Sequence, residues 1–364
     1  MRIAFYGSSL LSSYWNGAAT YYRGLLKQMA LLGHDVTFYE PDAYDRQKNR
    51  DMDPPDWCRV VVYDATEEAL ARVTAEAADY DVVVKASGVG VFDNELLVQT
   101  MAAARSDAIR IYWDVDAPAT LAEIQPDAAH PLRVTLPSLD AVCTYGGGQP
   151  VIDAYTALGA RAVHPIYNGL DPETHHPVPA DSRFSVDLAF LGNRLPDREK
   201  RVEDFFLDAA ARIPEKSFLL GGSGWGDKHM PDNVRYIGHV GTGDHNAFNC
   251  SPMAVLNINR DSMAATGFSP PTRVFEATGA GACLICDAWT GLEMFLEPDT
   301  EVLVARDGRD VGEIMSGLTR ERADEIGKAA LSRVLRDHTY ASRAQEVHRL
   351  LRAMRDAKAE PTPA

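Results

Sequence analysis

From its first residues this chain alternates short apolar runs, closed by turn residues, with longer stretches of helical periodicity. That alternation restricts it to parallel β-sheets covered by helices. Ile3-Ala4-Phe5-Tyr6, followed by Gly7 and Ser8, has the form of a buried parallel strand. Tyr22, Leu25, Leu26, Met29 and Leu32 then share a helical face, and Gly33 stops that helix before a strand over Val36 to Tyr39. The pattern continues with strand Val60 to Tyr63, helix Glu67 to Ala78, strand Val82 to Lys85, helix Asn94 to Ala104 and strand Ile109 to Trp113. A strand near Ala141 to Thr144 and a helix near Val151 to Leu158 complete this half.

Between Tyr167 and Pro179 the sequence reads YNGLDPETHHPVP, where three prolines and a glycine interrupt the periodicity. The pattern then restarts with strand Asp187 to Leu191, helix Glu199 to Arg212, and strands Ser217 to Leu220, Val234 to Ile237 and Ala254 to Ile258. Helix Thr272 to Thr278, strands Ala282 to Cys286 and Val302 to Val304, and helices Glu321 to Arg336 and Tyr340 to Arg355 follow, with a frayed tail over Ala357 to Ala364. The fold class expected is α/β, with two Rossmann-like doubly wound domains facing a cleft. Residues 1–170 form the first domain, 171–184 the linker and 185–340 the second, while 341–364 supply a C-terminal helix that crosses back to the first. A cleft between two such domains suits two substrates and hence a transfer reaction.

At 364 residues the chain is long enough for these two cores. Its 36 basic and 52 acidic side chains give a formal charge of −16, which disfavours a nucleic-acid partner. No apolar run reaches the roughly 18 residues of a membrane span, and the start reads as a strand rather than a signal peptide, so a cytoplasmic protein is expected. The five cysteines are scattered as reduced thiols would be, and Cys283 and Cys286 fall in an apolar strand rather than a redox or zinc motif. None of the ten histidines has metal-ligand spacing with another, so no bound metal and no cofactor are expected.

The most informative segment is SPPTRVFEATGAGACLICDAWTGLEMF, from Ser269 to Phe295. Pro270 and Pro271 prepare a helix start at Thr272, whose unpaired N–H groups and positive dipole end can receive a phosphate. Glu276, one turn in, can accept hydrogen bonds from a ribose diol, or can be a solvated helix carboxylate. Gly192-Asn193-Arg194 closes a strand and leads to Asp197-Arg198, so that backbone N–H groups and a guanidinium from Arg194 or Arg198 can face a diphosphate. The glycine-rich turn Gly221 to Gly226 can approach a nucleotide closely, and its Trp225 can stack on a base or cap the core. In the first half, Asp114 and Asp116 follow a strand directly. Either can serve as a base toward an acceptor hydroxyl, with Asp116 preferred, or cap a loop. Gly17 and Arg23, at the start of the first helix, are candidates for phosphate or acceptor contact.

The stretches AFLGNRLPDREKRVEDFF (Ala189 to Phe206), GGSGWGDKHMPDNVRYIGHV (Gly221 to Val240), VLNINRD (Val255 to Asp261), EPDTEVLVARD (Glu297 to Asp307) and DHTYASR (Asp337 to Arg343), with the segment around Glu276, occur in a fixed order. In this the chain resembles the glycosyltransferase group-1 clan, of GT-B architecture, and within it the CgeB-like spore-maturation proteins. LGHDVTFYE and NGLDPETHHP match more loosely. The resemblance implies that Glu276 binds ribose, that Arg198 faces the diphosphate, and that His239 and Val240 meet the base through the main chain. Taken with the reading of the residues, the expected donor set is Glu276, Ser269, Thr272, Arg273, Gly192, Asn193, Arg194, Gly222, Trp225, His239, Val240 and Arg260, and the resemblance implies no metal held by an aspartate motif. Similar retaining enzymes carry a second glutamate eight positions before the first, and here that residue is Phe268. The stereochemical outcome is therefore not carried over.

The expected function is transfer of a sugar from a nucleotide-diphosphate donor, uridine-linked by preference, to a hydroxyl of a small-molecule, lipid-linked or polysaccharide acceptor. Asp116, Asp114 and Arg198 are the expected catalytic groups. The alternatives are a nucleotide-sugar epimerase of the same fold, which needs no acceptor, and a sugar-nucleotide-binding protein without catalysis, suggested by Phe268.

Overall fold

The computed structural model describes residues 1–14 and 16–359, so the tail from residue 360 onward lies outside it. The chain divides into two compact units, Met1–Tyr167 with Tyr340–Ala364, and Asn168–Thr339.

The first unit is built on β1 (Arg2–Tyr6), β2 (Asp35–Asp42), β3 (Arg59–Asp64), β4 (Val82–Ala86), β5 (Ile109–Asp114), β6 (Ala141–Thr144) and β7 (Val163–Pro165). They form a parallel sheet of order β3-β2-β1-β4-β5-β6-β7. Both faces are covered by helices, which is why the strands read as near-continuous apolar runs. Ile3, Phe5, Val84, Ile111 and Trp113 pack under helices Ala19–Leu31 and Tyr340–Ala359. Tyr6, Val83, Tyr112 and Val142 pack against Leu70, Leu97 and Leu132 on the other face. Gly24 lets the first helix meet the last, because a Cβ there would lie 2.2 Å from the Tyr340 ring.

Past the end of the first helix, His34 Nε2 stands 2.9 Å from His348 Nδ1 of the last. Burial lowers the His34 pKa to about 4, and the Met1 amino group and His348 act in the same direction. Since this lies below the ordinary 6.5, the stability contributed by the neutral ring is complete above that pH and is lost as pH falls through about 4. Thermal melts of the wild type and His34→Gln across that window should show a shallower acid loss in the variant. Equal slopes would remove His34 as the titrating group.

The second unit repeats the plan with β8 (Leu188–Leu191), β9 (Phe218–Gly221), β10 (Val234–Gly238), β11 (Ala254–Asn257), β12 (Leu284–Asp287) and β13 (Leu303–Ala305), in parallel order β10-β9-β8-β11-β12-β13. Each sheet reverses strand order beside its first strand, between β1 and β4 and between β8 and β11. The crevice beyond the carboxyl ends of the strands at such a switch point is where doubly wound sheets bind ligands.

The continuous helix expected over 199–212 is interrupted. An α-helical piece, Pro196–Val202, and another, Asp208–Arg212, flank a wide π-turn at Glu203–Leu207. Phe205, Phe206 and Leu207 are all buried, and three adjacent apolar side chains do not share one face of a regular helix. The segment expected as a linker packs within the second unit: Val178 N donates to Cys250 Sγ and Asp181 N to Ser251 Oγ, at 3.4 and 2.8 Å.

Candidate functional site

The parallel strands of the second unit deliver their loops to one edge of its sheet. Gly192 N donates to Gly221 O at 3.0 Å, Gly222 N to Gly238 O at 2.7 Å, and Ser223 N to the Asn193 side-chain oxygen at 2.9 Å. Gly222 has φ +118°, and a Cβ on it would stand 2.2 Å from the Gly192 carbonyl oxygen, so the loops touch only because this residue is glycine.

At this edge the charges are unevenly matched. Arg201 holds the fully buried Asp287 at 2.6 Å, and Asp287 also accepts from the Asn259 backbone N–H at 3.1 Å. Burial pushes the Asp287 carboxyl above its usual range and Arg201 opposes this. Arg260 Nε donates to Asp197 at 2.5 Å. Both carboxylates thus have an arginine of their own. Arg198 senses Asp197, Arg260, Arg273 and Asp287, and burial, the largest influence on it, lowers its pKa. Its Nε and the Nη1 of Arg273 are buried without an acceptor. Two guanidinium groups with buried, unmatched donors suit an anion with several oxygens, because an unpaired buried donor is costly and charge-assisted bonds are strong.

Arg273 lies in the first turn of helix Thr272–Gly279, whose N-cap, Pro271, provides no side-chain cap. The buried Ser269 hydroxyl donates to Gly267 O at 2.9 Å instead of capping, and Val274 N is taken by Pro271 O, so the Thr272 and Arg273 N–H groups of the first turn keep their capacity for an anion. Asn168 Nδ2 fixes the helix entry through Pro270 O at 3.0 Å. One turn on, Glu276 is half-buried and makes no hydrogen bond or ion pair among the described residues. Its charge acts on His175 and His245, whose rings stand 6.4 Å apart and whose pKa values are lowered, chiefly by burial. The Val240 backbone also acts on His245. These two imidazoles escape a reading by spacing, since seventy positions separate them in the chain.

Several candidates have other occupations. Trp225 is not a base platform: it is fully buried, and its Nε1 donates to Gly192 O at 2.8 Å, closing the core beneath the loop. Arg194 is held by Glu199 and Asp227 at 2.7 and 2.8 Å, so Arg198 is the guanidinium left for a ligand. His239 is exposed, while Val240 is buried. Phe268 adopts a left-handed backbone, φ 48°, and its ring lies against Gly291.

In the first unit Asp114 is fully buried and accepts from Tyr155 OH, Ser87 Oγ, Thr120 Oγ1 and Asp116 N, at 2.5, 2.9, 2.9 and 3.0 Å. Its oxygens are enclosed by protein donors, which makes it the anchor of the loop after β5 rather than a base toward an acceptor. Asp116, at the N-cap of helix Ala117–Ile124, is half-buried, and its side chain makes no cap bond. Arg23 is likewise committed, to Asp51 at 2.6 Å and Leu10 O at 2.7 Å. Gly17 is exposed in the turn before the first helix, which starts only at Ala19. All five cysteines are free, and burial raises the Cys283 thiol to about 12.

Residues 198–349 match the glycosyl transferase-like family. Among solved structures, Anabaena HepE in complex with UDP and glucose is 15% identical, with 97% of this chain and all of that chain covered at a TM-score of 0.69. Sucrose-phosphate synthase from Thermosynechococcus elongatus is 16% identical, covering 98% of this chain and 100% of that one at 0.68. The T4 phage BGT in complex with its UDP-glucose substrate is 13% identical, with 98% of each chain covered at 0.56. No curated protein matches the chain significantly. Residues 198–349 thus carry the match to the glycosyl transferase-like family, and the two units have the GT-B fold of these solved structures.

Proposed function

We propose that the chain transfers a sugar from a nucleotide-diphosphate donor, uridine-linked by preference, to a hydroxyl of a small-molecule, lipid-linked or polysaccharide acceptor, and that it belongs to the CgeB-like branch. The observation that carries this reading is the pair Arg198 and Arg273, each with a buried donor lacking an acceptor, beside an uncapped helix start and a Glu276 that makes no hydrogen bond or ion pair among the described residues. HepE and the phage enzyme, solved with UDP or UDP-glucose, support a uridine-linked donor. In this reading the arginines and the first-turn N–H groups neutralise the diphosphate, and Glu276 accepts the ribose hydroxyls. The glycosyl carbon–oxygen bond to the donor phosphate breaks as one to the acceptor oxygen forms. The acceptor's proton passes to Asp116 if the anomeric carbon inverts, or to the leaving phosphate if it does not. The reaction is proposed to be cytoplasmic and to need no metal, so turnover should survive a chelator.

Calorimetry with UDP and UDP-glucose tests the donor side. Glu276→Ala should weaken binding about ten- to a hundredfold, the equivalent of roughly 1.5–3 kcal/mol of charged hydrogen bonding. Unchanged affinity would take Glu276 out of the site. Asp116→Asn should keep donor affinity and depress transfer, and full activity would reject its acceptor-side role. Phe268 favours one second reading, a donor-binding protein without turnover, which predicts saturable UDP-glucose binding and no transfer to any acceptor of a broad panel.

A further inference from the structure

A depression of about 360 Å³ lies in the first unit and is lined by Tyr14, Tyr44, Asp45, Arg46 and Gly90. Its floor includes Arg46, only 6% exposed. The guanidinium donates through Nη1 to the carbonyl oxygens of Ser8 and Val89, both at 3.2 Å, and its Nε is buried without an acceptor. Among the described residues it has no carboxylate at ion-pair distance. Glu40 and Asp93 act on it, but Glu40 is used by Ser9 Oγ, Leu10 N and Gln47 Nε2, and Asp93 by Lys85 and Gly90 N. A buried cation whose hydrogen bonds go only to carbonyl oxygens lacks its counter-ion.

Around it stand two exposed aromatic side chains, Tyr14 and Tyr44, at 44% and 55% exposure. Tyr44 lies with its ring centre 5.2 Å from Arg46 Cζ, and its hydroxyl is anchored to Gly90 O at 2.7 Å. Asp45, the acid in the wall, is tied to Lys48 at 2.6 Å. Tyr44 and Asp45 both hold left-handed backbones, φ 57° and 55°, and Glu40 ties this loop to the one carrying Leu10 and Leu11. An anchored aromatic ring beside a buried, counter-ion-free guanidinium suits a ligand with a flat face of C–H groups and an oxyanion on its rim.

We propose that this depression binds an acidic sugar, one bearing a carboxylate or a phosphate, as part of the acceptor. The binding stands on the pocket alone, and only the word acceptor rests on the transferase reading. Saturation-transfer NMR titrations with glucuronate, glucose 6-phosphate and glucose, with excess UDP present to occupy the donor side, test it. At least one charged sugar should bind tenfold or more tightly than glucose, and the preference should fall with added salt. Tyr44→Ala, a change at an exposed side chain, and Arg46→Gln should each remove that preference, while UDP affinity stays unchanged. Glucuronate binding with glucose 6-phosphate excluded identifies the carboxylate source, and the reverse identifies the phosphate. Charged sugars binding no better than glucose, or binding unaltered in Tyr44→Ala, overturn the proposal. Acidic-sugar binding without any UDP binding would sink the transferase reading and leave this one standing.

Discussion

Arg198→Met should lower kcat/KM for glycosyl transfer by about 10²–10³-fold, the usual loss when a donor aimed at a developing negative charge is removed. The same substitution should leave the melting temperature unchanged or raise it. The guanidinium is partly buried, its Nε has no acceptor, and burial already disfavours its charge. A methionine fills similar space without that cost, so in the proposed role the wild-type residue trades stability for a ligand. Steady-state kinetics with a melting curve on the same sample decide the matter. A large fall in stability would mean that Arg198 is structural, and full activity would mean that the diphosphate lies elsewhere.

Asp114→Ala should cost about 3–5 kcal/mol of stability, because each buried donor left without its acceptor costs about 1–3 kcal/mol and several converge on this carboxylate. Tyr155 and Ser87 would lose the acceptor for their hydroxyls and the Asp116 N–H its own, while the Thr120 hydroxyl would keep Asp116 O at 3.2 Å. For a unit of this size the melting temperature should drop by on the order of 10 °C. Chemical denaturation gives the free energy directly. A variant as stable as the wild type but inactive would return Asp114 to the role of base.

What the sequence discloses here is order along the chain. Strand runs such as Ile3 to Tyr6 and Ala254 to Ile258 are bounded by glycine, proline and small polar residues, and their length and apolar density leave little choice but buried parallel strands. The helix beginning at Thr272 is equally legible, because Pro270 and Pro271 fix its start and Gly279 and Gly281 its end. Side-chain partnerships are a different matter. Whether Arg23 is open to a ligand depends on Asp51, and whether Trp225 is available depends on a carbonyl at Gly192. Neither pairing has a local signature. Asp114 and Asp116 look alike in sequence, and only the burial of Asp114 marks it as an anchor. The π-turn at Glu203–Leu207 had a visible cue in the triplet Phe205-Phe206-Leu207, which no single helical stripe accommodates.

The chain passes from one unit to the other between Tyr167 and Asn168 and returns between Thr339 and Tyr340. These crossings lie side by side, joined by the bridge of Leu170 with Thr339 and by Leu170 N donating to His338 O at 2.7 Å. In topological terms the second unit is an inserted cassette with adjoining ends, and could be excised or transplanted as one piece. The first unit has no such freedom. Cutting after Thr339 would strip Tyr340, Ala344, Val347 and Leu351 from the face that covers Leu25, Phe5 and Trp113, so an apparently dispensable C-terminal tail is a wall of the core formed at the N-terminus.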